Sequence, residues 1–279
     1  MLVPLSDRLA RVPKSGIREI FDIAQSMTGV VNLGIGEPDF SAPTFVTAAA
    51  KKAISEGYGH YTSNAGLPEL REEISKKLKR ENNVVVDPKS EIIVTAGATQ
   101  AIFAALCCIL NPGDEVLLPT PLFPAYASCA NLAGASCIQV PTLEDERFEL
   151  DAVALEQRCS KKTKLLIINS PCNPTGSAYS RKSIERACDV AASHDLYIMS
   201  DEIYEKFLYE DQAHFSPASI SEFHKKVITI NGFSKTFGMT GWRLGYAAAD
   251  PEITTAMIRF NMYNAVCANT SHRWRASPH

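Results

Sequence analysis

The sequence has no apolar run long enough to cross a bilayer, which takes about 20 residues, so we expect no transmembrane helix. Its N-terminus interleaves charged residues such as Asp7, Arg8 and Arg11, and it lacks the apolar core of a secretory signal peptide. A formal net charge of -3 over 279 residues gives no electrostatic reason to expect nucleic acid or an anionic membrane as a partner. We therefore predict a cytoplasmic protein with neither kind of partner.

The sequence also lacks the cysteine spacing of zinc sites and redox pairs. Of its eight cysteines, Cys107 and Cys108 lie in an apolar helical pattern and the others are scattered, with no Cys-x-x-Cys pair or Cys/His cluster. We predict no metal site from these residues. The cysteines are expected to be mostly small buried hydrophobic residues in a reducing compartment.

A dinucleotide-binding fingerprint is incomplete. Gly34 and Gly36 follow an apolar stretch, but the third glycine is missing and Pro38 prevents continuation into a helix. The two glycines fit either a plain tight turn or a place where backbone N–H groups approach a ligand closely. The residues alone leave both possibilities open.

Short apolar runs alternate with helical patterns from residue 91 onward, and no internal repeat or low-complexity segment is present. The predicted strands are Ile92–Thr95, Val116–Leu118, Cys137–Val140, Lys164–Asn169, Leu196–Ser200, Val227–Ile230 and Leu244–Ala248. The predicted helices are Ile17–Ala24, Phe45–Glu56, Leu67–Arg80, Ala98–Ile109, Pro124–Ala133, Asp151–Cys159, Arg181–His194 and Glu252–Val266. This alternation predicts an α/β fold, a three-layer α/β/α arrangement with a mostly parallel sheet.

Polar residues that follow predicted strands are candidates for a site, because ligands of open α/β sheets bind beyond the carboxyl ends of the strands. Ala98 and Thr99 open a helix whose N-terminus favours an anion. Phe123 lies in a loop stiffened by prolines, and Asn173 is held extended by the proline that follows it. Each feature alone fits a simpler explanation, namely an N-cap, a core phenylalanine or turn chemistry.

The strand after these ends in Asp201, Glu202, Ile203 and Tyr204. We do not expect a metal at this acidic pair, because no histidine accompanies it. A carboxylate in a mostly apolar pocket requires a cation, and a protonated ring nitrogen would serve.

The loop between the last two predicted strands contains Ser234, Lys235 and Arg243. A lone lysine is usually solvated, and a lone arginine is usually a salt-bridge partner. Together, however, the strand ends provide an anion site, an aromatic ring, an amide, a carboxylate with a phenol, and this serine, lysine and arginine. A planar heterocycle with a phosphate, an aldehyde, a phenolic oxygen and a basic ring nitrogen matches all of them. Pyridoxal phosphate is such a molecule.

These segments resemble the class I/II aminotransferases of the aspartate and aromatic kind, which are fold-type-I pyridoxal-phosphate enzymes. The resemblance runs to about Ala268 and is carried by six segments: Gly34–Phe40, Tyr61 with Gly66–Arg71, Gly97–Gln100, Asn173–Gly176, Asp201–Tyr204 and Ser234–Arg243. It implies an N-terminal arm and small-domain portion at residues 1–45, a large cofactor-binding domain at 46–268 and an atypical tail at 269–279.

The resemblance also implies roles for individual residues. Lys235 would bind the aldehyde covalently and then act as general base and acid, and Asp201 would hold the protonated ring nitrogen. Tyr61 would reach the phosphate of the other subunit in a homodimer. The remaining roles are contacts to the phenolic oxygen (Tyr204, Asn173), the ring face (Phe123), the phosphate (Ala98, Thr99, Ser234, Arg243) and the substrate carboxylate (Gly36, Asn173).

The C-terminal end departs from the family pattern. Family members continue into a part that completes a small domain and supplies an arginine for the substrate α-carboxylate, and neither Arg273 nor Arg275 matches it. We expect an aminotransferase that moves an amino group between an L-amino acid and a 2-oxo acid, impaired by the missing part. Two alternatives remain: another fold-type-I enzyme, such as a β-eliminating lyase or a decarboxylase, and a truncated non-catalytic protein that binds pyridoxal phosphate.

Overall fold

A computed structural model of the protein describes residues 6–12, 16, 20, 23–24, 26–31, 34, 36–209 and 212–269. Within the N-terminal region it contains a short helix, α1 (Asp7–Ala10). The helix predicted at Ile17–Ala24 falls largely outside the described residues, and so do Arg273 and Arg275 of the predicted tail.

Seven strands form one sheet in the order β1-β7-β6-β5-β4-β2-β3. They are β1 (Ile92–Thr95), β2 (Glu115–Thr120), β3 (Ser136–Pro141), β4 (Thr163–Asn169), β5 (Tyr197–Asp201), β6 (Val227–Gly232) and β7 (Gly245–Ala248). The neighbouring pairs from β3 to β6 are parallel, whereas β7 runs antiparallel to both β6 and β1. The mostly parallel sheet predicted from the sequence is confirmed.

Helices cover both faces of the sheet. The longer helices are α2 (Thr44–Ser55), α3 (Pro68–Asn82), α4 (Ala98–Ile109), α5 (Ala125–Leu132), α6 (Ala152–Arg158), α7 (Arg181–Ser193) and α8 (Pro251–Asn264). In β4, Leu166 packs in the core beneath α3, α6 and α7, and its neighbour Leu165 packs in the core beneath α4, α5 and α8. This alternation confirms three layers. None of the helices in the described part of the chain is long and apolar enough to cross a membrane.

Helix α3 shows how the sequence specifies one of these layers. Pro68 occupies the first turn, where its missing N–H costs nothing, and Leu70, Ile74 and Leu78 recur every fourth residue on one buried stripe. The helix ends at Asn83, which adopts a left-handed conformation with φ 55°. The C-terminal half of α3 contains Lys77 and Asn82, and both contact Glu205.

Strand β2 is longer than the predicted Val116–Leu118. It pairs with β3 through Pro119 and Thr120, which lie opposite Val140 and Pro141. A proline has no N–H to donate. It is tolerated at Pro141 because β3 is an edge strand, and at Pro119 because the register of β2 with β4 ends at Leu117.

Candidate active site

A cavity of about 560 Å³ lies at the carboxyl ends of the parallel strands. Because β7 is antiparallel, the loop from Ser234 to Arg243 leaves β6 and enters β7 at this same edge. Tyr61 does not line this cavity, and its side chain is 83% exposed. Every other predicted site residue does line it: Gly36, Ala98, Thr99, Phe123, Asn173, Asp201, Tyr204, Ser234, Lys235 and Arg243.

Asp201 is the buried carboxylate of the cavity, with 3% of its surface exposed. Its Oδ1 accepts a hydrogen bond from the N–H of Ile203 at 3.1 Å, and its Oδ2 accepts one from the hydroxyl of Tyr126 at 2.6 Å. Burial raises the pKa of Asp201 to about 6, although these two donors act to lower it. A cation in the cavity would relieve the cost of this buried charge.

Tyr126 is a site residue that sequence analysis missed. It lies on the first turn of α5, and its ring packs edge-on against Phe123 with centroids 5.7 Å apart. A buried tyrosine hydroxyl usually has a hydrogen-bond partner, and Asp201 is that partner. The available signal was the position of Tyr126, three residues after Phe123 at the end of a strand.

Tyr204 and Asn173 are neighbours in the cavity lining, and the amide of Asn173 donates to the Tyr204 hydroxyl at 3.1 Å. The backbone N–H of Asn173 donates to the side chain of Asn169 at 2.8 Å, and Asn169 in turn donates to the carbonyl of Asp201 at 3.0 Å. The ends of β4 and β5 are thus tied together, which fixes the amide and the phenol relative to the carboxylate.

Lys235 brings a primary amine into the same cavity. Its Nζ donates to the carbonyl of Gly36 and lies 5.5 Å from the centroid of the Tyr204 ring. Burial lowers the pKa of Lys235, and the positive charge of Arg243 adds to this effect, whereas Glu37 and Asp201 oppose it. A lowered pKa increases the fraction of neutral amine, the form that can attack a carbonyl.

The opposite end of the cavity is suited to an anion. The N-terminus of α4 at Ala98 and Thr99 directs N–H groups and the positive end of the helix dipole toward it. Arg243 is so close that a Cβ on Gly97, which has φ +87°, would collide with the guanidinium. Ser234, which is buried, adds a hydroxyl to this end of the lining.

These features fit pyridoxal phosphate. The anion-binding end would accept the phosphate, the primary amine of Lys235 would meet the aldehyde, and the buried Asp201 would meet the ring nitrogen. Phe123 and the paired Tyr204 and Asn173 supply a flat face and polar groups between these ends.

The premise for expecting no metal at Asp201 and Glu202, that no histidine accompanies them, is wrong. His214 folds back so that its Nε2 lies 3.0 Å from Oε2 of Glu202. Glu202, Glu205 and His214 together have the spacing of a metal site. Their carboxylate oxygens, however, already accept hydrogen bonds from protein donors: Asn82, Ser200, Ser216 and Lys77.

Comparison with known proteins identifies the family. The model of the family "Aminotransferase class I and II" matches residues 28–275. The chain is 50% identical to an aspartate aminotransferase of Pyrococcus abyssi and 45% identical to aromatic-amino-acid aminotransferase 2 of Thermococcus litoralis, in each case over 98% of this chain and 70% of the relative.

Solved structures agree with this assignment. Aspartate aminotransferase from Thermus thermophilus with maleate superposes with a TM-score of 0.92 at 37% identity, over 98% of this chain and 72% of that one. The resemblance inferred from the sequence motifs is confirmed. The chain belongs to the class I and II aminotransferases, which are pyridoxal-phosphate-dependent transferases of fold type I.

Proposed function

We propose that this protein transfers an amino group between an L-amino acid and a 2-oxo acid, with aspartate or an aromatic amino acid as donor. The observation that carries the proposal is that Asp201, Tyr204 and Lys235 line one cavity, in which Nζ of Lys235 lies 5.5 Å from the centroid of the Tyr204 ring. The relatives at 50% and 45% identity are named for aspartate and aromatic amino acids, and these names support the donor class.

Lys235 is the proposed catalytic residue. Bound pyridoxal phosphate supplies an aldehyde for the substrate amine and a ring that withdraws the electron pair released at Cα. The amine of Lys235, with its lowered pKa, would take the proton from Cα of the substrate and return it on the cofactor side, a contribution of about 10²–10⁴-fold. Asp201 would keep the ring nitrogen protonated, and Tyr204 would orient the phenolic oxygen with Asn173.

The remaining polar groups would bind and orient. Ala98, Thr99, Ser234 and Arg243 would hold the phosphate, and Phe123 would stack on the ring. Gly36 and Asn173 would contact the substrate carboxylate. At Gly36 a Cβ would lie 3.5 Å from the Tyr204 hydroxyl, so a larger residue would narrow the cavity at this point.

We also propose the assembly and location of the enzyme. Tyr61 is 83% exposed and outside its own cavity, which fits a homodimer in which it serves the other subunit. Residues 46–268 would form the cofactor-binding domain. None of the eight cysteines is in a disulfide, in keeping with a reducing compartment such as the cytoplasm, and cell fractionation would test this location.

The experiment that tests the function is a donor screen on purified protein saturated with pyridoxal phosphate. Aspartate or an aromatic amino acid alone should release one equivalent of its own 2-oxo acid per site, and sustained turnover should require a second 2-oxo acid as acceptor. The Lys235→Arg variant, which keeps the positive charge, should lose at least about 10²-fold of this activity.

The same screen separates the alternatives. A β-eliminating lyase would release ammonia without an acceptor, and a decarboxylase would release carbon dioxide. Either result, or bound cofactor with no release of a 2-oxo acid from any donor, would contradict transamination.

A further inference from the structure

A buried polar network surrounds Glu202, the residue after Asp201. Its side chain is completely buried; Oε1 accepts hydrogen bonds from the hydroxyls of Ser200 at 3.0 Å and Ser216 at 2.6 Å. Oε2 lies 3.0 Å from Nε2 of His214 and 3.2 Å from the amide of Asn82. The carboxylate therefore has the full set of partners that a buried charge requires.

The network extends to a second carboxylate. Glu205 accepts a hydrogen bond from the side-chain amide of Asn82 at 2.7 Å and forms a salt bridge with Lys77. Nζ of Lys77 also donates to the side-chain oxygen Oδ1 of Asn82 at 2.9 Å. Burial acts to raise the pKa of Glu202, but its partners outweigh this, His214 first among them, and the pKa is lowered. Around Asn82, the carboxylates of Glu202 and Glu205 thus face the imidazole of His214 and the amine of Lys77.

The imidazole of His214 is oriented by this network. Among the described residues Glu202 is its one hydrogen-bond partner, because Nδ1 is buried without any. Burial acts to lower the pKa of His214, but the charge of Glu202 outweighs it, and the pKa is raised. The pair therefore joins the segment at 212–216 to the end of β5.

The network and the cofactor cavity share one short piece of backbone. Asp201 and Tyr204 line the cavity, whereas Glu202 and Glu205 turn toward Asn82 at the end of α3, in the other helix layer. The N–H of Glu202 donates to the carbonyl of Ile230 at 2.8 Å. Side chains that project to both sides of a segment fix its position better than a hydrogen bond on one side.

We infer that Glu202 and His214 are positioning residues. They fix the backbone of residues 201–204 from the side opposite the cavity, and Asp201 and Tyr204 reach the cofactor from this backbone. Anchored by α3 and by the 212–216 segment, Glu202 and His214 act on cofactor binding through Asp201 and Tyr204 without touching the cofactor. This inference rests on the proposed function.

The test measures the dissociation constant for pyridoxal phosphate by equilibrium dialysis in four proteins: wild type, Glu202→Gln, Asp201→Asn and the double variant. Gln has nearly the shape of Glu, but it removes the negative charge beside His214 and replaces one oxygen acceptor with an NH₂ group. Loss of a supporting partner costs about 10- to 100-fold in affinity at metal sites, and we expect about tenfold here. In the Asp201→Asn background the same change should cost less than in the wild-type background, because only Tyr204 remains for it to act through.

Ile184→Val is the matched control. Ile184 is fully buried on α7 in the same core as α3 and has no side-chain hydrogen bond to the network. The melting temperature of the Ile184→Val variant should fall, while its affinity for the cofactor stays within about twofold of wild type. This variant therefore shows how much affinity is lost through destabilisation alone. Should Glu202→Gln not fold, His214→Ala takes its place, and His214→Gln, which restores a donor to Glu202, should recover part of the affinity.

Three results would overturn the inference. Glu202→Gln with wild-type affinity and a lower melting temperature would reduce the network to a purely structural role. Equal losses in the wild-type and Asp201→Asn backgrounds would show that the effect does not pass through Asp201. If the wild-type chain bound no pyridoxal phosphate, the proposed function would fall, and this inference with it.

Discussion

The carboxylate of Asp201 is held by two neutral donors, the Tyr126 hydroxyl and the Ile203 N–H, and no described cation forms a salt bridge with it. Desolvation raises its pKa to about 6 from the ordinary value of 3.8 for an aspartate, so the cofactor-free protein binds a proton here more tightly than the unfolded chain does. Ionised Asp201 therefore costs stability until a cation arrives.

Because ionised Asp201 costs stability, the Asp201→Asn variant should differ from wild type in its stability as the pH changes, when both proteins are free of cofactor. The cost of ionising Asp201 grows as the pH rises from about 4 to about 6 and is complete above that, on the order of 3 kcal/mol for a shift of this size. Asparagine can accept from Ile203 and donate to the Tyr126 oxygen, so it should keep both contacts without the charge. The variant should be more stable than wild type at pH 7.5 and similar at pH 4.

Urea unfolding of both cofactor-free proteins across this pH range measures the difference. A gap that stays constant with pH, or a variant that is less stable at pH 7.5, would show that the buried carboxylate carries no such cost. The same variant should bind pyridoxal phosphate more weakly, since it cannot neutralise the ring nitrogen.

At the scale of helices and strands, most of the framework could be predicted because the patterns are strongly periodic. The four-residue spacing of Leu70, Ile74 and Leu78 specifies α3, and the continuous apolar runs specify the buried strands. The polar residues that follow these strands line one cavity. The direction of β7 could not be predicted, since an apolar run has no direction.

Contacts between helices, strands and loops could not be predicted from the sequence. Tyr126 pairs with Asp201 across 75 positions of the chain, and Asn82 reaches Glu202 across 120. His214 is only 12 positions from Glu202, yet the fold of the intervening segment decides whether they meet. Local sequence patterns contain no information on such contacts. For this reason no sequence pattern indicated that His214 lies beside Glu202.

At the scale of the whole molecule, the chain spans about 70% of its relatives from Pyrococcus abyssi and Thermococcus litoralis. The proposed homodimer places Tyr61 at the site of the other subunit. Subunits mixed in vitro test this. Tyr61→Phe and Lys235→Ala homodimers should each be defective, the first in phosphate binding and the second in covalent attachment of the cofactor.

A mixed dimer would contain one site with both Lys235 and Tyr61 intact. Refolding equal amounts of the two variants together should therefore restore about a quarter of wild-type cofactor incorporation at low cofactor concentration, since half of the dimers are mixed and each has one intact site. No gain over the sum of the separate variants would contradict a Tyr61 contribution from the other subunit.

The central claim is that one ring is bound between Asp201 and Lys235, and covalent trapping tests it most directly. The protein is saturated with pyridoxal phosphate, reduced with borohydride and digested, and the modified peptide is sequenced by mass spectrometry. We predict that the cofactor is attached to Lys235 in the wild type and that, at a cofactor concentration below saturation, Asp201→Asn lowers the occupancy at the same position. Attachment to another lysine, or equal labelling in Lys235→Arg, would contradict the account.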